Sequence, residues 1–151
     1  MRASATAGPN DAASADATPS TLPTADAWRS AARRHDDLFA PLDAGARIGL
    51  LARSAPTRVL VWEAGEHGID AWVAPFAGYS ATGADIVLAA DDESLAQVRA
   101  AGAGALFEVL RAGIRSGRIV CYMLKRRCVL EERGFEELLD ALGFAFMGAC
   151  R

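Results

Sequence analysis

One acid–histidine cluster stands out among the residues that could do chemistry. Glu63, Glu66 and His67 lie close together in the chain, and carboxylates beside an imidazole can bind a metal ion or act as a general base. Helix-borne zinc motifs place two histidines on one helical face, whereas this cluster has one histidine and falls in a predicted hairpin turn. His67 is therefore a catalytic candidate set against the simpler interpretation of an exposed turn residue, and we expect no metal.

Cys128 is the candidate nucleophile. It follows Lys125, Arg126 and Arg127, and cationic neighbours lower the pKa of a thiol and favour the reactive thiolate. Free cysteines more often pack as small apolar residues. The sequence has no Gly-x-Ser-x-Gly elbow and no complete Gly-x-Gly-x-x-Gly loop, so it predicts no cofactor and leans against an enzyme.

Basic residues are concentrated in one part of the chain. Between Glu108 and Glu131 every charged residue is basic, and an acidic segment follows. The six basic residues are Arg111, Arg115, Arg118, Lys125, Arg126 and Arg127. They could bind a small anionic ligand or an acidic protein, with the last four as the binding candidates. Alternatively, a helix C-terminus and the following acids neutralise them.

Aromatic residues give a second binding candidate. Trp62 and Trp72 fall in two strands that we expect to pair, and Phe76 and Tyr79 follow in the next loop. Trp and Tyr are favoured at contacts with other molecules, so one sheet face could bind a ligand, a protein or a second copy of the chain. The alternative is that both tryptophans pack under a helix.

Composition limits the class of protein. The chain has 151 residues, 52% hydrophobic and 23% charged, with a net charge of −3, which fits one globular domain and makes nucleic acid an improbable partner. No apolar stretch approaches the ~20 residues of a membrane span, and no signal peptide is evident. Three cysteines are too few for a disulfide scaffold, so we predict a cytoplasmic protein.

Periodicity predicts the elements before the main helix. Residues 1–24 are rich in Ala, Ser, Thr and Pro and predict a disordered tail ahead of a domain over 25–151. Thr24 should cap a helix over 25–39, and Asp43 a second short helix containing Ile48 and Leu51. A hairpin follows, with strands over 58–63 and 69–73, and then a strand over 84–89.

The remaining pattern completes an α+β fold. Asp91 or Asp92 should open a long helix that Gly117 ends. Gly102 and Gly104 within it indicate a kink, a break into two helices or close packing on a neighbour. We expect a central strand over 118–125, a helix over 130–142 and a last strand over 144–150. The fold class is a single α+β domain with a mixed, largely antiparallel sheet of about four or five strands and three or four helices, whose later strands join by parallel crossovers.

These observations favour one function and leave two alternatives. The first expectation is a small non-catalytic binding or protein-interaction module. The alternatives are an enzyme that uses Cys128 or the cluster of Glu63, Glu66 and His67, and an anion or nucleic-acid binder that uses the basic stretch 111–127.

Overall fold

A computed structural model describes residues 21–144 and shows five strands in one sheet with helices. The elements are α1 (Ala25–Arg34), α2 (Asp36–Phe39), β1 (Arg47–Ala52), β2 (Arg58–Gly65), β3 (Gly68–Pro75), a 3-10 turn (Tyr79–Ala81), β4 (Ile86–Ala90), α3 (Asp92–Ser116), β5 (Ile119–Met123), α4 (Arg127–Glu132) and α5 (Glu136–Leu142). The predicted α+β class is confirmed. Most of the predicted tail, and all but Phe144 of the predicted last strand, lie outside the described residues.

The sheet is mixed, with strand order β3-β2-β1-β4-β5. β1, β2 and β3 form an antiparallel meander, and the predicted hairpin is confirmed, with Gly65 opposite Gly68. The parallel pair is β1 with β4, whereas β4 and β5 are antiparallel. The expected parallel crossover through the long helix is therefore wrong, because α3 returns the chain to pair antiparallel beside β4.

β1 corrects the second predicted helix. The segment that follows Asp43 is the central strand of the sheet, not a helix. Ile48, Leu50 and Leu51 are all buried because both faces of β1 are covered. A strand buried on both faces loses the alternation of apolar and polar residues that identifies a strand. The spacing of Ile48 and Leu51, three residues apart as on one face of a helix, is therefore a coincidence.

A stacked tryptophan pair joins α1 to the sheet. Thr24 caps α1 as predicted, and the Trp28 ring lies 3.6 Å from the Trp62 ring at an interplanar angle of 5°. Phe39 meets Trp62 edge-on, and the Trp62 Nε1–H donates to the carbonyl oxygen of Trp28. Leu22 is also buried in this core, although it belongs to the segment predicted as a tail. The helices pack on this face of the sheet.

The opposite face is covered by a connection, which we call the strap (residues 76–85). A second buried cluster of Leu51, Ala84, Val87 and Ala89 lies here, packed with Phe76 and Tyr79. None of these residues, nor Leu124 beside them, belongs to an α-helix. We call this side of the sheet the strap face.

The C-terminal part of the described chain differs from prediction in two ways. β5 is an edge strand within the described residues, not a central one, and its residues beyond Ile119 are partly exposed. The predicted helix over 130–142 is two helices, α4 and α5, separated at Gly134, where φ is +88°. By contrast, the predicted kink in α3 is present at Gly102.

Gly134 provides a test of the close approach between the α4–α5 connection and the segment after α2. An added Cβ would overlap the backbone carbonyl of Pro41, whereas at Gly117 (φ +83°) it would meet nothing within 4 Å. Both substitutions to alanine carry the left-handed backbone cost of roughly 1–2 kcal/mol. We expect Gly134→Ala to lose about 2 kcal/mol more than Gly117→Ala in urea denaturation. Equal losses would contradict the described packing.

The N-terminus of α3 predicts a pH-dependent contribution to stability. The Asp91 side chain accepts a hydrogen bond from the Ser94 N–H at 2.8 Å, and hydrogen bonding from Ser94 lowers the pKa of Asp91 below its ordinary value of 3.8. A lowered folded-state pKa stabilises the protein above pH 3.8 and less as the pH falls through the folded pKa.

Asp91→Ala should therefore lose about 1 kcal/mol at neutral pH, measured by urea denaturation. Asp91→Asn keeps a side chain that can cap the helix and should lose less, but its stability should depend less on pH below 4 than that of the wild type. If Asp91→Asn kept the full pH dependence of wild-type stability below pH 4, other carboxylates would be responsible for that dependence.

Candidate interaction surface

Three aromatic rings meet on the strap face. The Tyr79 ring lies 5.2 Å from that of Phe76 and 4.9 Å from that of Tyr122. Tyr122 is 40% exposed, one of two large hydrophobic residues that the described chain leaves exposed. Both tyrosines of the chain belong to this aromatic cluster (Phe76, Tyr79 and Tyr122).

Local hydrogen bonds hold the strap part of the cluster in place. The Phe76 N–H donates to the Thr57 carbonyl at 3.0 Å. Gly78, at φ +114°, precedes the short 3-10 turn that carries Tyr79. The Thr82 hydroxyl then donates to the Tyr79 carbonyl at 2.8 Å and accepts from the Ala84 N–H at 3.1 Å. The turn is therefore fixed without a covering helix.

Burial and proximity change the acidity of Tyr79. Desolvation raises the pKa of the Tyr79 phenol above its ordinary value of 10.0, and the neighbouring Tyr122 raises it further. The phenol therefore remains protonated at neutral pH and can donate or accept a hydrogen bond.

The two predicted tryptophans lie on opposite faces of the sheet. Trp62 is opposite Ala71 and Trp72 opposite Val61, and residues opposite one another share a face. Trp62 is fully buried under α1, so its assignment to a shared binding surface is wrong. Trp72 is half-buried on the strap face, in the same row across the sheet as Tyr122.

Charged residues fasten the end of the sheet near Trp72. The Arg47 guanidinium lies 5.4 Å from the Trp72 ring centre and donates to Glu63 Oε2 at 3.1 Å. Asp85 is buried, accepts from the Arg47 N–H at 2.9 Å, and lies 3.4 Å from Arg133 Nε. The hydrogen bond from Arg47 and the ion pair with Arg133 attach the strap and the α4–α5 connection to the sheet, and the buried Arg133 Nε has no hydrogen-bond partner within the described residues.

The acid–histidine cluster does not come together. Glu63 pairs with Arg47, while Glu66 and His67 are exposed at the hairpin turn. Within residues 21–144, no group of three or more His, Cys, Asp or Glu side chains is arranged to hold a metal ion. The other histidine, His35, lies 4.5 Å from the Phe107 ring.

The two cysteines among the described residues offer no activated thiolate. Cys128 lies in the first turn of α4 and is disulfide-bonded. It therefore has no thiolate that its basic neighbours could activate. Cys121 in β5 is a free thiol, and burial raises its pKa to about 12. Such a thiol stays protonated at physiological pH and is a poor nucleophile.

The basic stretch divides into two groups at opposite ends of β5. At the first end, Arg118 pairs with Asp91 and Glu93, and Arg111 donates to the Ala141 carbonyl at 2.8 Å. This part agrees with the interpretation that such residues satisfy a helix end and nearby acids. At the other end, Lys125 and Arg126 are exposed and form no ion pair with a described residue. Arg127, beside them, has a contact of its own.

Tyr122 is the site residue that the sequence reasoning missed. The sequence predicts a central strand over 118–125 that is covered on both faces, and such a strand would bury Tyr122. A tyrosine in such a strand indicates that one of its faces reaches the surface or a polar group, because the tyrosine hydroxyl needs water or a polar partner.

Comparison with known proteins identifies no relative. No protein-family model, no curated protein and no solved structure matches the chain. In the part of the chain that the structure describes, no helix combines the length and apolar character needed to cross a bilayer.

The tyrosine contact predicts an alkaline titration that depends on both rings. We expect ultraviolet titration of the folded protein to show a phenol that ionises above pH 10, because burial and Tyr122 both raise the pKa of Tyr79. A raised folded-state pKa stabilises the fold below pH 10, and this contribution is lost as the pH rises through the folded pKa. In Tyr122→Phe the Tyr79 pKa should fall towards, but not reach, its ordinary value. An unchanged value would show that Tyr122 does not act on Tyr79.

Proposed function

We propose that the protein is a small non-catalytic protein-interaction module that binds its partner through the aromatic cluster. The observation that carries this proposal is the position of both tyrosines, in mutual ring contact on the strap face, with Tyr122 40% exposed on an edge strand of the described sheet. Tyrosine is enriched among the residues that contribute most to protein–protein binding, because its ring buries apolar area while its hydroxyl forms a hydrogen bond.

The geometry of the cluster favours a protein over a small molecule. The three rings lie on a sheet surface beside an edge strand, and edge strands present unpaired backbone groups that other chains can recognise. Neither enzyme candidate gains support, because Cys128 is disulfide-bonded and His67 is exposed away from the Arg47–Glu63 pair. A cytoplasmic location stays a prediction.

Val73 supplies a matched control for the test. Val73 and Tyr122 are the two large hydrophobic residues exposed in the described chain, and they belong to opposite edge strands, β3 and β5. The same substitution at either position removes exposed apolar surface, but only the change at Tyr122 alters the aromatic cluster.

The experiment compares proteins retained from a lysate by immobilised wild type, Tyr122→Ser and Val73→Ser, quantified by mass spectrometry. We expect at least one retained protein whose retention falls about tenfold with Tyr122→Ser, the effect of losing about 1.4 kcal/mol of binding free energy, and stays unchanged with Val73→Ser. Circular dichroism and urea denaturation establish that both variants are folded. Retention that is equal for all three proteins, or that depends on Val73 alone, would refute the proposal.

A further inference from the structure

We propose that the partner is an acidic segment in extended conformation that adds a strand to the outer edge of β5. This inference rests on the proposed function and identifies the chemical class of the partner. Three observations carry it: the edge of β5, the basic pair at its end, and the charge pattern that opposes self-pairing.

The edge of β5 is open to another strand within the described residues. β5 pairs with β4 on one side and with no described strand on the other. In an antiparallel ladder, alternate residues direct their N–H and C=O groups away from the neighbouring strand. An extended peptide laid along this edge would pair with those groups, and its side chains on the strap face would lie beside Tyr122.

Two cations that form no ion pair with a described residue lie just beyond the end of this edge. Lys125 and Arg126 follow Met123, the last residue of β5, after one intervening leucine. Both are exposed without an ion pair to a described residue, whereas Arg47, Arg118 and Arg133 each pair with a carboxylate. A strand that adds to β5 would extend past its end to this basic pair, where carboxylates on the incoming strand would be stabilised.

The same charges disfavour a second copy of the chain as the occupant. The β5 strand of a second copy supplies no carboxylate of its own, because Arg118, Lys125 and Arg126 are the only charged residues over 118–126. An ion pair with the basic pair therefore needs acidic residues from outside this strand. An acidic strand instead places opposite charges together, so the edge suits an acidic segment of another protein better than itself.

The test selects peptides from a random 12-residue phage library on the full-length protein. We expect the selected peptides to be enriched in Asp and Glu together with β-branched or aromatic residues. Their affinity should fall at least tenfold for the variant Lys125→Glu/Arg126→Glu. The matched control is Arg33→Glu/Arg34→Glu, the same charge change at exposed residues of α1, and it should leave affinity unchanged.

Two further measurements locate a selected peptide. Lys125 is the only lysine of the chain, so carbodiimide coupling should link a carboxylate of the peptide to that residue, as read by mass spectrometry. Amide hydrogen exchange should slow in β5 and not in β3, because strand addition pairs amides at that edge. Slowed exchange in β3 alone would overturn the inference.

The remaining outcomes are distinguishable. Selected peptides without acidic enrichment, or insensitive to the Lys125 and Arg126 reversal, would overturn the acidic partner. If these peptides still lose binding with Tyr122→Ser, the proposed function stands. A dimer in sedimentation analysis that dissociates with the charge-conserving Tyr122→Ser would show a second copy as the occupant and overturn the inference. Failure to select any peptide would also overturn it, and the lysate comparison then decides the proposed function separately.

Discussion

The Trp62 side chain extends from β2 towards α1, and its ring lies flat on that of Trp28. The Trp62 N–H also donates to the Trp28 carbonyl oxygen. One contact therefore buries the apolar surface of both rings and gives the Trp62 N–H a hydrogen-bond partner. Two buried tryptophans fix the face on which α1 packs, and α3 packs beside α1 on that face. The other face is then left to the strap, and this asymmetry places the aromatic cluster at the surface.

The strap covers its face of the sheet with few residues because a glycine, and not a large side chain, lies at the middle of that face. Gly49 occupies the middle of the row that runs from Trp72 to Tyr122, and an added Cβ would lie 2.8 Å from a Val59 methyl. With no side chain at this point, the neighbouring valines pack into the space, and the bulky rings stand at the edges of the sheet. The largest aromatic surface is therefore at the margins, where a partner can reach it.

Local signals predicted those elements whose ends are set by neighbouring residues. Thr24 and Asp91 as helix caps, Gly117 as a stop and the presence of the β2–β3 hairpin are each explained within a few residues of sequence. The break at Gly134 was not predictable in this way, because it depends on the backbone of Pro41, which is distant in the chain.

The candidate site could be predicted only in part. Tyr79 was identified from its loop. Whether Trp62 and Trp72 lie on the same face of the sheet depends on the strand register, and the register depends on which residues form the turn. Counting Glu66 and His67 alone as the turn places Trp62 opposite Ala71 and separates it from Trp72. Tyr122 is exposed at the site because β5 lies at the edge of the sheet that the described residues form. Strand order involves contacts that no local pattern encodes.

The parallel pairing of β1 with β4 also has a consequence for how the chain reaches its fold. β1, β2 and β3 are consecutive and pair with their neighbours in the chain. β1 pairs with β4 only across a longer separation, since Ile48 lies opposite Ile86, which follows the hairpin and the strap in sequence. Contacts distant in sequence form later, because a longer loop must close first. Until β4 arrives, β1 presents a strand of almost wholly apolar residues with one edge unpaired. The central strand of the finished sheet is thus open to pairing with other chains until β4 pairs with it.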